Sequence, residues 1–267
     1  MKTKSPWLVK PHERVNLSKW ETSVENKPSH EQDALLLKKH RESLARLQEV
    51  LYADQKRAVL IVLQGMDTAG KDGSISHIFS GINPQGCVVT SFKIPTSLEA
   101  RHDFLWRCHA AMPPRGMIGV FNRSHYEDVL SPRVHKLIDQ KTAHRHMDEI
   151  NAFEAMLFNT GTIVLKFFLH LSKGEQKQRL QARLDNPDKL WKFSAADLKE
   201  RGFWNDYQKI YGDTLTRTSK KHAPWFVIPS DDKSFRNLAI SSVLVEALES
   251  LNLKYPEPTV NPASIKL

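Results

Sequence analysis

Residues 65–74, G-M-D-T-A-G-K-D-G-S, combine the residue types that bind phosphate, at the spacing G-x-x-x-x-G-K. Glycines in such a loop let backbone N–H groups approach an anion, and Lys71 adds a cation. A helix that begins directly after the loop adds positive potential at its N-terminus. The chemistry indicated is the binding of phosphate groups. The alternative is a glycine turn with a structural role alone.

The flanking sequence places this loop between a strand and a helix. Residues 58–63 are apolar throughout, which is typical of a strand buried on both faces. After the loop, apolar residues recur on one helical face, namely Ile75, Ile78, Phe79 and Ile82. A strand, a glycine loop and a helix in this order favour phosphate binding over a structural turn.

Two carboxylates distinguish the loop from the common pattern. Asp72 stands where most phosphate loops have Ser or Thr, and Asp67 lies within the loop. A carboxylate there repels a phosphate unless a divalent ion or a proton donor lies between them. We therefore expect Mg²⁺ to be held by acidic side chains. The alternative is that Asp67 or Asp72 only caps the helix.

Composition limits the class of protein. With 267 residues, 40% of them hydrophobic and 26% charged, the chain is predicted to be soluble and globular with a full core. It has no apolar run of the ~18 residues that a membrane span needs, and the sequence after Met1 lacks the apolar segment of a signal peptide. Cys87 and Cys108 form no disulfide framework. We expect a cytoplasmic protein without membrane association.

The net charge of +9 predicts an anionic partner. Nucleic acid, anionic lipid and a polyanionic substrate are all candidates at this point. The basic residues are spread along the chain, which favours a charged groove on a folded surface over a disordered basic arm. No nucleic-acid-binding module is recognisable, so we expect no nucleic-acid partner.

Five short apolar segments alternate with helical patterns, which predicts an α/β fold. The predicted strands are residues 58–63, 88–92, 117–121, 162–169 and 225–228. This alternation predicts a five-stranded parallel sheet with helices on both faces, a three-layer α/β/α sandwich. We divide the chain into an N-terminal arm with an amphipathic helix (1–54), a phosphotransferase domain (55–254) and a C-terminal tail (255–267).

Ligands of such folds bind at the carboxyl ends of the strands. The phosphate loop ends the first strand, and Asn122 and Arg123 end the third, with Glu127 and Asp128 following within one turn. We expect these residues to meet the loop in one cleft. Arg123 could neutralise a transferring phosphate, or it could pair with Glu127 or Asp128.

A helical lid is predicted over about residues 185–204, a charged segment in which tryptophan and phenylalanine are interleaved. Arg179 and Arg183 precede it on one helix face, and Lys189 and Lys192 lie within it. A mobile segment rich in cations can exclude water and neutralise phosphate during transfer. The alternative is a solvated helix face.

Four separated motifs resemble the polyphosphate kinase 2 family over about residues 35–250. They are L-Q-G-M-D-T-A-G-K-D-G (63–73), S-F-K-I-P-T (91–96), F-N-R-S-H-Y-E-D (121–128) and R-L-D-N-P (183–187) with W-K (191–192). The resemblance implies a thymidylate-kinase-like P-loop core with a helical lid. It implies transfer of a terminal phosphoryl group between inorganic polyphosphate and a nucleotide, with Mg²⁺ or Mn²⁺. The third motif and the single-domain length resemble the subgroup that phosphorylates both AMP and ADP, giving ADP and ATP.

The resemblance also implies roles for particular residues. The catalytic set is Asp67, Lys71, Arg123 and Arg183. The metal ligands are Asp67 and Asn122, with Glu127 substituting for the aspartate that some members have at position 122. The phosphate and nucleotide site comprises Gly65, Thr68, Ala69, Gly70, Lys71, Asp72, Gly73, Asn122 and Arg123. Polyphosphate is expected along Lys93, Arg133, Lys189 and Lys192.

A homo-oligomer, dimer or tetramer, is expected. Two other functions stay open on the sequence alone. One is an ATP-dependent nucleoside monophosphate or small-molecule kinase on the same fold. The other is a non-enzymatic nucleic-acid binder, which would show a steep dependence of affinity on salt.

Overall fold

The computed structural model describes residues 5–25, 29–260 and 265. Its sheet has five strands, in chain order β1 (Ala58–Gly65), β2 (Cys87–Ser91), β3 (Ile118–Asn122), β4 (Thr162–His170) and β5 (Trp225–Pro229). Their spatial order is β2-β3-β1-β4-β5, and every neighbouring pair is parallel. This confirms the predicted five-stranded parallel sheet.

The described residues contain nine α-helices. In chain order they are α1 (His30–Asp54), α2 (Lys71–Ile78), α3 (Trp106–Ala110), α4 (Glu127–Val134), α5 (Gln140–Asn159), α6 (Lys173–Leu184), α7 (Ala195–Gly202), α8 (Trp204–Thr218) and α9 (Lys233–Glu249). A 3₁₀ segment, Pro187–Lys192, connects α6 to α7. None of these helices is both long and apolar enough to cross a membrane.

The central strand β1 explains the layering. All eight of its residues are buried, and because successive side chains point to opposite faces, both faces need an apolar cover. On one face, α4, α5 and α8 contribute to a core that includes Ile150 and Trp225. On the other, α1, α2 and α9 contribute to a core that includes Leu51 and Leu244. The three-layer sandwich is therefore confirmed.

The described part of the N-terminal arm packs along β5. Val9 N–H donates to the Trp225 carbonyl at 2.9 Å, and Val227 N–H donates to the Trp7 carbonyl at 2.9 Å. Val9 is fully buried. The remainder of the predicted arm and tail, residues 1–4, 26–28, 261–264 and 266–267, lies outside the described residues. The proposed division at residues 54 and 254 stays a prediction.

Two local features differ from what the sequence pattern indicates. The apolar residues of 98–110 are typical of one helix, but the segment forms a 3₁₀ turn, Glu99–Arg101, and the short α3. The Asp103 carboxylate accepts the Leu105 N–H at 3.0 Å, a local bond that competes with a continuous helix. Helix α8 was not anticipated, although Ile210, Tyr211 and Leu215 give it a buried face.

Candidate active site

The phosphate loop runs from the end of β1 to the start of α2. Gly70 has φ 104°, a left-handed conformation, and a Cβ atom there would lie 2.0 Å from Nη1 of Arg236. Thr68 also has a positive φ, 66°, which is unusual for a β-branched residue and costs about 1–3 kcal/mol. Its hydroxyl oxygen is buried and has no hydrogen-bond partner among the described residues. A strained loop with an unpartnered hydroxyl is consistent with a loop shaped for a ligand.

Side chains from three helices hold the loop by its carbonyl groups. Lys71 Nζ donates to the Gly65 carbonyl at 2.7 Å and to the Met66 carbonyl at 3.3 Å. Gln176 Nε2 donates to the Asp67 carbonyl at 3.0 Å. Arg179 Nη1 donates to the carbonyls of Thr68 at 2.9 Å and Ala69 at 3.3 Å, and Arg236 Nη1 donates to Ala69 at 3.1 Å.

This pattern of contacts determines which groups the loop can offer to a ligand. Five consecutive carbonyls, from residue 65 to residue 69, are each engaged by a side chain. With the carbonyls engaged, the backbone N–H groups are the ones that can face an anion, as the sequence predicts for a phosphate loop.

Lys71 lies at the floor of the loop. It is 9% exposed, and burial, with a smaller contribution from Arg123, lowers its pKa to about 8. The carboxylates of Asp67, Glu127 and Asp72 oppose that shift. Lys71 therefore carries its charge at neutral pH and loses it as the pH rises through about 8.

The end of β3 meets the phosphate loop through Arg123. Its Nη2 lies 2.8 Å from Oδ1 of Asp67, and its Nη1 lies 3.3 Å from Oε2 of Glu127. Burial alone would lower the pKa of Arg123, but Glu127 and Asp67 raise it above its ordinary value. Of the two pairs considered for Arg123, the one with Glu127 is present. Asp128 pairs instead with Arg107, at 3.0 Å.

Asn122 joins the same cluster on the side of α2. Its Nδ2 donates to Oδ1 of Asp72 at 2.5 Å and to Oγ of Ser91 at 3.4 Å. Helix α2 begins at Lys71 with Gly70 as its N-cap, and no side chain caps it. The alternative that Asp67 or Asp72 serves as a helix cap is therefore not what the structure shows.

The side chains of this cluster are of the types that bind a hard divalent cation. Asp67, Asp72 and Glu127 bring carboxylate oxygens to the carboxyl edge of the sheet, and Asn122 brings an amide. Carboxylate and amide oxygens are the protein ligands that Mg²⁺ prefers. A cation would also reduce the repulsion between these acids and a phosphate.

Arg183, which lies just before the predicted lid, contacts residues of that lid. Arg183 Nη1 donates to the Lys192 carbonyl at 3.1 Å and to Oδ2 of Asp197 at 3.2 Å. Burial raises the pKa of Asp197, and the charge of Asp67 raises it further, so α7 lies within electrostatic reach of the loop. Lys189 and Lys192 are exposed in the 3₁₀ segment between α6 and α7.

Arg179 differs from the expectation that it shares a lid face with Arg183. It is 9% exposed and bonds the reverse side of the phosphate loop. Its Nη2 also donates to the carbonyls of Ser230 at 2.7 Å and Asp231 at 2.8 Å, after β5. Arg179 thus joins the phosphate loop to the β5–α9 connection and belongs neither to a lid nor to a solvated face.

The other two predicted polyphosphate residues make no described contact with the loop. Lys93 is exposed just after β2, and its carbonyl accepts from Arg107 at 2.8 Å. Arg133 pairs with Asp213 and lines a cavity of about 1580 Å³ between the N-terminal arm and α8. The other cations that line this cavity are Arg14, Lys19, Lys173, Lys209 and Arg217. No described contact joins Lys93 or Arg133 to the loop.

Two residues that support the loop were missed by sequence reasoning. Gln176 and Arg236 donate to loop carbonyls from α6 and α9. A signal for Arg236 was present, because it shares a helix face with Ile240 and Val243, and a cation on an apolar face needs a buried partner. The signal for Gln176 was weak, since a lone glutamine on a polar helix is ordinary.

A family model described as Polyphosphate kinase 2 matches residues 27–256, from α1 to the residues after α9. The chain belongs to the polyphosphate kinase 2 family. The match includes the phosphate loop, the end of β3 and the lid segment, the same regions that carry the motifs. The solved structure of polyphosphate kinase 2 from Arthrobacter aurescens is similar, with a TM-score of 0.94 and 40% identity over 98% of this chain and 95% of that one. This likeness shows that the chain has the fold of that polyphosphate kinase 2.

Two curated relatives are similar along most of their length. An ADP-polyphosphate phosphotransferase of Rhodopseudomonas palustris is 49% identical over 260 residues, which is 92% of this chain and 90% of the relative. An AMP/ADP-polyphosphate phosphotransferase of Meiothermus ruber is 50% identical over 215 residues, 80% of each chain. The names of the two relatives give different acceptors, although their sequence identities to this chain are nearly equal.

Proposed function

We propose that this protein is a phosphotransferase that moves the terminal phosphoryl group of inorganic polyphosphate reversibly to AMP and ADP. The observation that carries the proposal is the meeting of Lys71, Arg123 and Asp67 around a loop whose carbonyls from residue 65 to residue 69 are each engaged by a side chain. The names of the two curated relatives support the substrates. The F-N-R-S-H-Y-E-D motif supports the use of both acceptors.

The cluster suits phosphoryl transfer because that reaction needs positioning and charge neutralisation more than covalent chemistry. Backbone N–H groups of the loop and the ammonium of Lys71 would hold the phosphates. The guanidinium of Arg123 would neutralise the transferring group, exchanging part of its contact with Asp67 and Glu127 for phosphate oxygens. Arg183 would add a second guanidinium when the lid lies over the site. Water would be excluded by the same closure.

Phosphoryl transfer of this kind uses a divalent cation, and we propose Mg²⁺, with Mn²⁺ as a substitute. Asp67 is the proposed principal ligand, with Glu127 and Asn122 beside it. The cation would neutralise charge on the phosphate oxygens. Replacing Asp67 by Asn should lower kcat by about 10²–10³-fold without loss of folding. A near-normal rate for Asp67→Asn at saturating Mg²⁺ would mean that the carboxylate is no metal ligand.

The path of the polyphosphate chain is also part of the proposal. Exposed Lys189 and Lys192 lie on the lid side of the site, and Lys93 follows β2 at the same edge of the sheet. The cavity that Arg133 lines opens beside the carboxyl end of β4, where His170 and Ser172 form part of its wall. A polyanion could follow these cations away from the phosphate loop.

The oligomeric state and location belong to the same proposal. Strand β2 lies at an edge of the sheet, with Val88 and Val89 44% and 47% exposed, which supports self-association as a dimer or tetramer. Cys87 and Cys108 are both free thiols, which supports the reducing cytoplasm. Light scattering of the purified protein would measure the oligomer.

One assay tests the activity. AMP and ADP are incubated separately with polyphosphate and Mg²⁺, and again with ATP as the sole donor, and the products are separated. We expect polyphosphate-dependent formation of ADP from AMP and of ATP from ADP. Turnover with ATP alone would favour the alternative nucleoside monophosphate kinase. Phosphorylation of ADP with none of AMP would limit the acceptor to the diphosphate.

A further inference from the structure

Three potential metal ligands meet at the packed N-termini of α1 and α9, apart from the phosphate loop. His30 and Asp33 lie in the first turn of α1, and Asp232 is the N-cap of α9. One ligand atom from each residue lies within 4.8 Å of the other two. His30 and Asp33 are three residues apart, so they share a helix face, the spacing by which helices present paired ligands to metals.

The burial of Asp33 without a described partner is a second, independent indication that a metal ion binds here. It is 1% exposed, and neither of its carboxylate oxygens has a hydrogen-bond partner among the described residues. Burying a lone carboxylate is costly, and buried charges are normally paired or bound to a metal. Asp33 is not needed to cap α1 either, because Ser29 and Gln32 form a complete capping box there.

We propose that His30, Asp33 and Asp232 bind a divalent transition-metal ion, Zn²⁺ or Mn²⁺, that joins α1 to α9. An imidazole favours a transition metal over Mg²⁺ or Ca²⁺, whose usual ligands are all oxygen. The two negative charges of Asp33 and Asp232 would balance the charge of a divalent ion at this partly buried site. Asp232 also caps α9, where its Oδ1 accepts the Phe235 N–H at 2.9 Å.

The ion would act on the architecture and not on the transferred phosphate. Helix α9 begins at Lys233, and one turn from its N-cap Arg236 donates to the Ala69 carbonyl of the phosphate loop. Holding the N-terminus of α9 against α1 therefore steadies the support of that loop. The proposed Mg²⁺ ligand Asp67 is a separate residue and offers only oxygen atoms, so the two sites are distinguishable by their residues and by the metal that each prefers.

The first test measures binding directly. The full chain, stripped with chelator, is titrated with Zn²⁺ by calorimetry in excess Mg²⁺, which occupies the oxygen-ligand site. We expect one tight site, weakened at least tenfold by His30→Ala and unchanged in Glu31→Gln. Glu31 is an exposed carboxylate in the same helical turn, outside the cluster, and serves as the matched control. Equal Zn²⁺ affinity of wild type and His30→Ala would overturn the proposal.

The second test uses the unpartnered carboxylate of Asp33. Without metal, Asp33→Asn should melt at or above the temperature of wild type, since the change removes a buried negative charge. With Zn²⁺, wild type should gain in melting temperature and Asp33→Asn should not, so that the order of the two proteins reverses. An identical response of both proteins to Zn²⁺ would overturn the proposal, as would a lower melting temperature of Asp33→Asn in chelator with no response of wild type to Zn²⁺.

Discussion

At the scale of single residues, the strictest test of the proposed site is the replacement of Lys71. A well-placed cation or donor at a transition state is worth about 10²–10³ in rate. Lys71→Ala should therefore lower kcat by about that factor while the protein still folds, and steady-state kinetics beside a thermal melt would measure both. Lys177→Ala, an exposed lysine on α6, is the control and should stay close to wild type. A drop of less than threefold in Lys71→Ala would remove the lysine from the catalytic set.

The lowered pKa of Lys71 gives a pH dependence of known sign. Burial lowers that pKa to about 8, so in the free enzyme the cation is present below this pH and is lost as pH rises through it. We expect kcat/KM to fall above about pH 8. Bound phosphates favour the ammonium, so the fall in kcat should come at higher pH. Lys71→Arg should lose this limb, because arginine stays protonated, and a limb that persists there would belong to another group.

At the scale of elements, two arginines on α6 have different roles: one contacts the lid and the other supports the phosphate loop. Arg183 contacts the lid through Asp197, whereas Arg179 bonds four backbone carbonyls around the phosphate loop. Arg183→Ala should lower kcat and kcat/KM together, with a modest change in nucleotide KM and in melting temperature. Arg179→Ala should lower the melting temperature clearly, since it strands buried acceptors at about 1–3 kcal/mol each. Small, equal effects of both variants on kinetics and stability would contradict both assignments.

Arg236 tests whether the conformation of the loop depends on its support. The guanidinium donates to the Ala69 carbonyl at 3.1 Å, to Oγ of Ser74 at 2.8 Å and to Oδ1 of Asn237 at 3.0 Å. Arg236→Met should raise the KM for nucleotide and lower stability by several kcal/mol, at about 1–3 kcal/mol per stranded acceptor. Arg236→Lys keeps the charge and should restore part of both. If Met and Lys behaved alike in KM, the arginine would act only on folding.

At the scale of the whole molecule, the charge of +9 predicts a salt-dependent donor affinity. The KM for polyphosphate should rise steadily with KCl, because salt screens exposed charges. Removing Lys189 and Lys192 together should flatten that dependence more than it changes kcat. The double variant Lys177→Ala/Lys254→Ala, at exposed lysines on α6 and beyond α9, removes the same charge elsewhere and should leave the slope near that of wild type. An unchanged slope in the double variant would place the polyphosphate path away from the lid.

Much of the fold and the centre of the site could be predicted from sequence because the signals are local. Apolar runs and helical spacing are properties of adjacent residues, so the five strands and the face of α2 were recognisable. The meeting of the phosphate loop with Arg123 followed from a general rule, that parallel strands bring their carboxyl ends to one edge. The same rule holds whatever the order of the outer strands.

Tertiary structure alone decided what lies behind the loop. Arg236 and Ala69 are 167 positions apart, and Arg179 and Thr68 are 111 apart, so no local pattern could pair them. An arginine on α6 looks the same in sequence whether it reaches a solvated lid or a buried carbonyl. The meeting of Asp33 with Asp232 likewise depends on how α1 packs against α9. Sequence determined which groups this protein can use. Packing decided which of them lie open at the carboxyl edge of the sheet and which hold the loop in place, because burial and hydrogen bonding are properties of residues brought together from distant parts of the chain.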